Sequence, residues 1–391
     1  MAKEQLFRSY LSAALFLIRQ YAGKTPLSLF LKDYFSTNKK YGSRDRKYIS
    51  QLCYCYYRSG HALNAVPPEK KIVSSLFLCS TESNDLLKNL APEWNEKAAI
   101  SLDEKIRLLG PEFKREDIFP WGPELSDGVD IAGFCLSHLI QPFIFLRIRP
   151  GHENAVVEKL DSRQIKFDRV RERCLALPNA THLEGIVILN REAVIQDLNS
   201  QNTGEFLKSV SWTSSREVWD CCAASGGKSL MLYDMKPDIK LTVSDVRENI
   251  LHNLRKRFAV AGISDYKSVK IDLSASDIRL PDNKYQLIIA DVPCSGSGTW
   301  SRTPEQLYFF SENKIGEYAA LQQKISSNVI PALLPGAYLL YITCSVFKKE
   351  NESIVRQLEQ NGSLQLIKME MLRGYDKKAD TLFAALLKKP L

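Results

Sequence analysis

The sequence predicts an α/β protein in which a doubly wound, mostly parallel sheet fills the C-terminal part, behind a small α/β module and an N-terminal helical domain. Three observations predict it. Beyond about residue 191, short β-rich runs alternate with helix-like stretches, the pattern of a parallel sheet with helices on both faces. Residues 1–140 carry their apolar side chains at helical spacing. Residues 141–190 combine strand-like runs with one short helix. A chain of 391 residues accommodates two or three such domains.

In the helical part, residues 5–20 form an apolar-rich run of helical period, and Ser43-Arg44-Asp45-Arg46 opens a helix towards Arg58. Pro67-Pro68 breaks the region, further helices are expected at 83–90 and 93–109, and residues 119–123 read as a loop. The net charge of +8 is concentrated here, because the first 60 residues hold 11 Lys+Arg against 3 Asp+Glu while the remainder balances at 42 against 42. Lys39, Lys40, Arg44, Arg46, Lys47 and Arg58 are interleaved with Tyr41, Tyr48, Tyr54, Tyr56 and Tyr57, a mixture suited to phosphates and stacked bases. The competing reading is a solvated helix face whose tyrosines turn into the core.

The middle module is read as a strand at 143–148, a helix at 154–160 and a strand at 185–189. The C-terminal strands are placed at 217–219, 240–243, 268–271, 285–290 and 337–342, with a helix at 247–261.

Strand ends are where ligands meet an open α/β sheet, and here they carry chemistry. The first strand empties into Asp220-Cys221-Cys222-Ala223-Ala224-Ser225-Gly226-Gly227-Lys228, whose small residues let backbone approach a ligand at a helix N-terminus. This turn matches neither the dinucleotide fingerprint nor the P-loop, which argues against ATP. Asp245 and Asp272 end the next two strands; the first is placed to accept hydrogen bonds from ribose hydroxyls and the second to reach an adenine amine. Either could instead cap a helix, Asp245 the one at 247–261. The fourth strand delivers Asp291 and Cys294, and the fifth delivers Cys344. A lone strand-end cysteine is often a small buried hydrophobe, whereas two at strand mouths beside a carboxylate suggest nucleophilic chemistry.

Composition excludes several classes. Hydrophobic content of 45% and charged content of 25% are those of a folded globular chain. No segment approaches the roughly 20 apolar residues of a membrane span. The run at 11–18 is too short and lacks a cleavage site, so a cytoplasmic protein is expected. Nine cysteines without a Cys-x-x-Cys, and five scattered histidines, imply reduced thiols and no metal.

Read in order, Asp-x-Cys222-Ala223-Ala224-x-Gly226-Gly227-Lys228, Asp291-x-Pro293-Cys294-Ser295-Gly296-x-Gly298 and Thr343-Cys344-Ser345 resemble the motifs of the Sun-type RNA (cytosine-5)-methyltransferases, and among them the bacterial enzymes that act on 16S ribosomal RNA. Gln196-Asp197-Leu198-Asn199-Ser200-Gln201 is similar to the opening segment of that family's catalytic domain, Arg302-Thr303-Pro304-Glu305 to its substrate-loop motif, and Glu350-Asn351 to the pair after its catalytic cysteine. The likeness covers residues 141–391, and residues 45–58 resemble the NusB-type helical domain that precedes catalysis. Three positions depart from the pattern: Ser225 stands where the family has Pro, a single Gly336 precedes Ala337-Tyr338, and Asp380-Thr381-Leu382-Phe383 replaces Asp-Gly-Phe-Phe.

The resemblance implies a Rossmann-like, S-adenosylmethionine-dependent methyltransferase domain at 191–391, an RNA partner, most directly ribosomal RNA bound through residues 1–140, and a monomer without metal or membrane. It implies Cys344 as the nucleophile that adds to C6 of cytosine, Cys294 as the residue that assists product release, Asp291 as a hydrogen-bonding group near N3, and Lys228 beside them. Cofactor contacts are implied for Cys222, Ala223, Ala224, Ser225, Gly226, Gly227, Lys228, Asp245, Arg247, Asp272 and Asp291. The chemistry requires a thiolate because C5 of cytosine is too weak a nucleophile to take a methyl group from a sulfonium until C6 has been attacked. Two other readings stand beside this one. A DNA cytosine-5 methyltransferase would use the Pro-Cys cysteine as nucleophile, against which Cys344 and the basic helical region count. A non-catalytic RNA-binding assembly factor would need none of Asp291, Cys294 and Cys344.

Overall fold

The computed structural model describes residues 2–282 and 284–391, which form two compact units. The first comprises residues up to Pro123 together with Asp130–Gln141 and Thr299–Ser311; the second comprises Glu124–Val129, Pro142–Gly298 and Glu312–Leu391.

The first unit is helical. Phe7, Tyr10, Ala14 and Leu17 recur at three- and four-residue spacing along the helix Ala2–Gln20, so one stripe meets Ile49, Leu52, Tyr57 and Leu76 from the helices Ser43–Arg58 and Pro68–Cys79. The helix at Ser43 begins where expected because Asp45 Oδ2 accepts the Gly42 N–H at 2.8 Å, satisfying a donor that a helix start leaves open. Residues 93–109 are not the single helix the pattern suggested. Ser101 and Glu104 exchange hydrogen bonds, the Glu104 N–H to Ser101 Oγ at 3.3 Å and the Ser101 N–H to Glu104 Oε2 at 3.0 Å, and this capping box starts a separate helix, Leu102–Leu109, after Pro92–Asn95.

The stretch Thr299–Ser311 is remote in sequence yet belongs to this core. Glu305 Oε1 accepts the Leu27 N–H at 3.1 Å, and the Tyr308 ring packs on Tyr56 and Tyr57. Arg58, read from the sequence as part of a basic surface, is instead 4% exposed. Its Nη1 donates to the carbonyls of His138, Ile140 and Ser301 at 2.9, 3.2 and 2.9 Å, because a buried guanidinium must find acceptors for its donors. Tyr56 and Tyr57 are buried and Tyr41, Tyr48 and Tyr54 pack against the same core, which favours the inward reading of the tyrosines. Lys39, Lys40, Arg44 and Lys47 remain exposed.

The second unit holds two sheets. The smaller has order β2-β3-β1-β4, from β1 (Ile144–Ile148), β2 (Asp168–Arg171), β3 (Cys174–Leu177) and β4 (Ala193–Ile195), with the helix Glu153–Ser162 packed on it through Val156 and Leu160. Residues 185–189 do not make the expected strand. Gly185 takes a left-handed φ of +74° within a turn, Ile186 and Val187 fold onto the core, and the pairing with β1 falls to β4.

The larger sheet contains β5 (Glu217–Asp220), β6 (Lys240–Asp245), β7 (Tyr266–Lys270), β8 (Tyr285–Asp291), β9 (Leu333–Thr343), β10 (Gln365–Leu372) and β11 (Leu382–Lys388), in the order β10-β11-β9-β8-β5-β6-β7. Strands β5 to β9 pair in parallel, and β11 runs antiparallel between β9 and β10. Both faces are covered. Val218, Leu287 and Leu340 point to one core with Leu230, Leu254 and Phe258; Trp219, Ile288 and Leu339 point to the other with Ile325, Val329, Ile354 and Leu358. Alternation of this kind buries both sides of the central strands, which is why β8 reads as a continuous apolar run, while the edge strands β7 and β10 stay largely exposed. The chain moves outward from β5 through β6 to β7 and then returns to β8 on β5's other side, so the crevice of a doubly wound fold opens between the ends of β5 and β8. Among the described residues no helix is long and apolar enough to cross a membrane.

Candidate active site

Register brings the two cysteines together. Asp291 of β8 pairs with Ile342 of β9, so the third residue beyond one and the second beyond the other leave the sheet at the same level. The sulfurs of Cys294 and Cys344 lie 3.1 Å apart, and the Cys344 N–H donates to Cys294 Sγ at 3.3 Å. The hydrogen bond with Cys344, then burial, hold the Cys294 thiol well above the ordinary cysteine range. Cys294 is therefore held as a neutral thiol in contact with Cys344, and either sulfur can donate to the other. On the other side of the crevice Lys228 Nζ donates to Asp291 Oδ2 at 2.5 Å. Burial alone would lower the Lys228 pKa, but the Asp291 carboxylate outweighs it and the net shift is upward.

A buried acid fixes the cysteine loops. Glu350 accepts the Ser295 N–H at 2.9 Å, Gln322 Nε2 at 2.7 Å and the Ser345 hydroxyl at 2.7 Å, tying the residue after Cys294 to the residue after Cys344. Gly298 completes the seam, its N–H donating to the Cys344 carbonyl and its own carbonyl accepting the Thr381 N–H, both at 2.9 Å. A Cβ there would stand 1.9 Å from the Thr381 carbonyl oxygen, so no side chain fits.

Beside these groups lies a cavity of about 470 Å³. Of the residues singled out in the sequence, Cys222, Ala224, Asp245, Arg247, Asp272, Asp291 and Cys294 line it, whereas Ala223, Ser225, Gly226, Gly227, Lys228 and Cys344 do not. Gly226 instead shapes the loop. Its φ of +78° is left-handed and a Cβ would lie 2.7 Å from the Phe258 ring, while at Gly227 the nearest atom would be 3.6 Å away. Asp245 does not cap the following helix, whose first turn opens at Arg247; its Oδ2 accepts the Ala224 N–H at 3.1 Å and its Oδ1 the Arg247 N–H at 2.9 Å. The largely exposed Arg247 guanidinium donates to the same two oxygens, Nε to Oδ1 at 3.0 Å and Nη2 to Oδ2 at 3.3 Å, so a ligand donor reaching Asp245 takes the place of that side chain. Asp272 Oδ1 accepts the Ser274 N–H at 2.9 Å and the Ser274 hydroxyl at 2.6 Å, which holds its pKa down.

Against a model of the 16S rRNA methyltransferase RsmB/F family, residues 210–384 match. The likeness to the RsmB/F methyltransferase family thus covers residues 210–384. The region includes both cysteines, Lys228 and Asp291. Ribosomal RNA small subunit methyltransferase B of Cronobacter sakazakii is 29% identical over 213 residues, 50% of this chain and 47% of that protein. The same-named protein of Enterobacter sp. (strain 638) is 30% identical over 279 residues, 68% of this chain and 62% of that protein. The chain thus spans about half the length of the first curated relative and rather more of the second. Among solved structures, PH0851 superposes with a TM-score of 0.71 over 99% of both chains at 18% identity. NSun6 from Pyrococcus horikoshii with SFG superposes with a TM-score of 0.56 at 15% identity, covering 64% of this chain and 91% of that one. These likenesses place the larger sheet in the Rossmann-like methyltransferase fold.

Several site residues escape a motif-based reading. Tyr318, Leu321 and Ile325 wall the cavity from the helix Asn313–Val329, and their three- and four-residue spacing reads as an ordinary core stripe. Val246, Ile271 and Leu273, each adjoining a strand-end acid, supply further apolar surface beside Pro293 of the motif. That adjacency was the available signal.

Proposed function

We propose that this chain is an S-adenosylmethionine-dependent RNA (cytosine-5)-methyltransferase acting on 16S ribosomal RNA through a Cys344–C6 adduct. The observation that carries the reading is the pair of strand-end sulfurs 3.1 Å apart with the Lys228–Asp291 ion pair at the neighbouring strand ends. One cysteine suffices to attack C6; a second within contact distance has a use in a reaction that must also release the first.

The cavity suits the methyl donor by its chemistry. Asp245 and Asp272 offer acceptors to hydroxyl and amine hydrogens, Val246, Ile271, Leu273 and Pro293 offer an apolar wall, and the left-handed Gly226 lets the loop turn away from the space in front of it. S-adenosylmethionine, when bound, supplies a methyl group on a positively charged sulfur. Cys344 as thiolate forms the bond to C6, and the electron pair of the C5–C6 double bond moves towards C5. As negative charge builds on the ring, N3 of the base takes a proton from Lys228, and the N3–H so formed donates to the Asp291 carboxylate. C5 takes the methyl group with that electron pair; a solvent water then takes the C5 proton, the C5–H pair re-forms the C5–C6 double bond, the C6–S bond breaks, and the departing Cys344 sulfur is protonated by Cys294, the neutral thiol beside it.

The exposed lysines of the first unit supply affinity for the RNA backbone, and the protein works as a cytoplasmic monomer. Bisulfite mapping of 16S ribosomal RNA from a strain lacking the gene tests the whole reading. Loss of one 5-methylcytosine, restored by the wild-type chain and not by Cys344→Ala, is the expected result. An unchanged map removes 16S ribosomal RNA as the substrate, and transfer to DNA in the purified system would replace the assignment.

A further inference from the structure

The donor loop differs from the motif it resembles at one position, where Ser225 replaces a proline. A proline restrains a loop by fixing its own φ, and serine provides no such restraint. The loop needs one, because Ala224, just before Ser225, sits at a left-handed φ of +46°, a costly state for a residue with a Cβ, and Gly226, just after, turns left-handed as well at +78°, which only its missing Cβ makes easy.

Arg257, on the helix Glu248–Ala261, reaches this serine. Its Nη1 donates to the Ser225 carbonyl at 3.2 Å and to the Ser225 hydroxyl at 3.1 Å. Its Nε donates to Asn190 Oδ1 at 2.7 Å. Asn190 is itself fixed in the turn before β4, with a φ of +70°, its N–H donating to the Ala193 carbonyl at 2.7 Å and its carbonyl accepting Arg149 Nη1 at 3.1 Å. None of these three Arg257 hydrogen bonds goes to a carboxylate, so the guanidinium joins a turn of the small sheet to the loop beyond β5 without neutralising an acid.

We propose that Arg257 is a positioning residue for the donor loop, supplying through Ser225 and Asn190 the restraint that the proline ring gives in the motif this loop resembles. The proposal rests on the reading of that loop as part of the S-adenosylmethionine site. The methyl donor itself need not touch Arg257, which is outside the cavity lining. The arrangement makes the small sheet part of the donor site's scaffold, since the Asn190 end of the strut lies there.

The test is a rescue. In the free protein, hydrogen exchange of the amides at 222–228 reports the loop directly, and calorimetry with S-adenosylmethionine reports its consequence. Arg257→Gln is expected to speed exchange in that segment and weaken donor affinity roughly tenfold, the loss of charge-assisted hydrogen bonds, with the melting temperature little changed. Ser225→Pro restores the residue of the motif at a position that is not among the residues with positive φ, as a proline ring requires. Added to Arg257→Gln, it is expected to return both exchange and affinity to near the wild-type values. Unchanged loop exchange in Arg257→Gln, or failure of Ser225→Pro to slow it again, overturns the proposal. If the wild-type chain has no affinity for S-adenosylmethionine, the functional reading fails while the exchange rates still decide whether Arg257 is the strut.

Discussion

Lys228 and Asp291 meet at 2.5 Å across the crevice between β5 and β8, joining the glycine turn beyond β5 to the loop that carries Cys294. The contact sets the charge of the site, because a protonated Lys228 makes an anionic Asp291 tolerable beside two thiols. Lys228→Met is expected to lower kcat at least tenfold, roughly the loss of one transition-state interaction. Combined with Asp291→Asn, the losses should be non-additive, with a coupling of about 0.5–3 kcal/mol. Additive losses in kcat would show that the two side chains act independently.

The cysteines are separated by the adduct they leave. Cys344→Ala is expected to form none, since nothing then attacks C6. Cys294→Ala should still attack but release slowly, so protein joined to RNA accumulates as a nuclease-sensitive, slow band on a denaturing gel. The reverse pattern would make Cys294 the nucleophile and favour the DNA-type mechanism.

Three glycines are expected to differ sharply. Gly298→Ala forces a methyl group into the Thr381 carbonyl and should cost about 2–4 kcal/mol in urea unfolding. Gly226→Ala meets both a left-handed φ and the Phe258 ring and should lose stability and donor affinity together. Gly227→Ala, whose Cβ would make only an ordinary contact at 3.6 Å with Arg257 Nη1, should be nearly neutral. Equal effects at Gly226 and Gly227 would contradict the loop geometry.

Asp220 gives the unit a pH dependence. Burial, only partly offset by the Ser229 hydroxyl, lifts its carboxyl from 3.8 to about 7, and its Oδ1 has no partner among the described residues. An acid whose folded pKa is raised binds its proton more tightly folded than unfolded. Its contribution is therefore greatest at low pH and is withdrawn as pH climbs from about 4 to about 7. Asp220→Asn should flatten the melting temperature across that window; an unchanged slope would place the titration elsewhere.

The surface lysines are tested by salt. Replacing Lys39, Lys40 and Lys47 by Ser should reduce the slope of log affinity for RNA against log salt by about 0.7–0.9 for each lysine that meets a phosphate. An unchanged slope would make the cluster a solvated face. Deleting the helical region wholesale is the poorer experiment, since residues 299–311 pack within it.

Periodicity made the main helices and parallel strands legible: the helix Ser43–Arg58 and the strands β5 to β9 fall close to where apolar spacing and turn residues put them. Residues 185–189 misled because Ile186, Val187 and Leu189 are apolar enough for a strand while Gly185 spends its freedom on a turn. Arg58 misled for a similar reason, as sequence records its charge and not the three carbonyls gathered around it. Asp291, Cys294 and Cys344 stood out because each ends a strand. Glu350 was visible only as part of a motif, and its work of tying Ser295 to Ser345 depends on distances that no local pattern encodes.

The Leu27–Glu305 hydrogen bond spans 278 positions of chain. During synthesis the N-terminal helices emerge from the ribosome long before the segment that completes their core, so for most of translation Leu27 has no Glu305 to bind and Tyr56 no Tyr308 to cover it. Full protection of the first unit must wait for residues 299–311. By then the strand β8 has also been made, so the helical unit finishes folding only after the loop bearing Cys294 exists, and a nascent chain stalled before residue 299 should be cut readily by protease within its first helices.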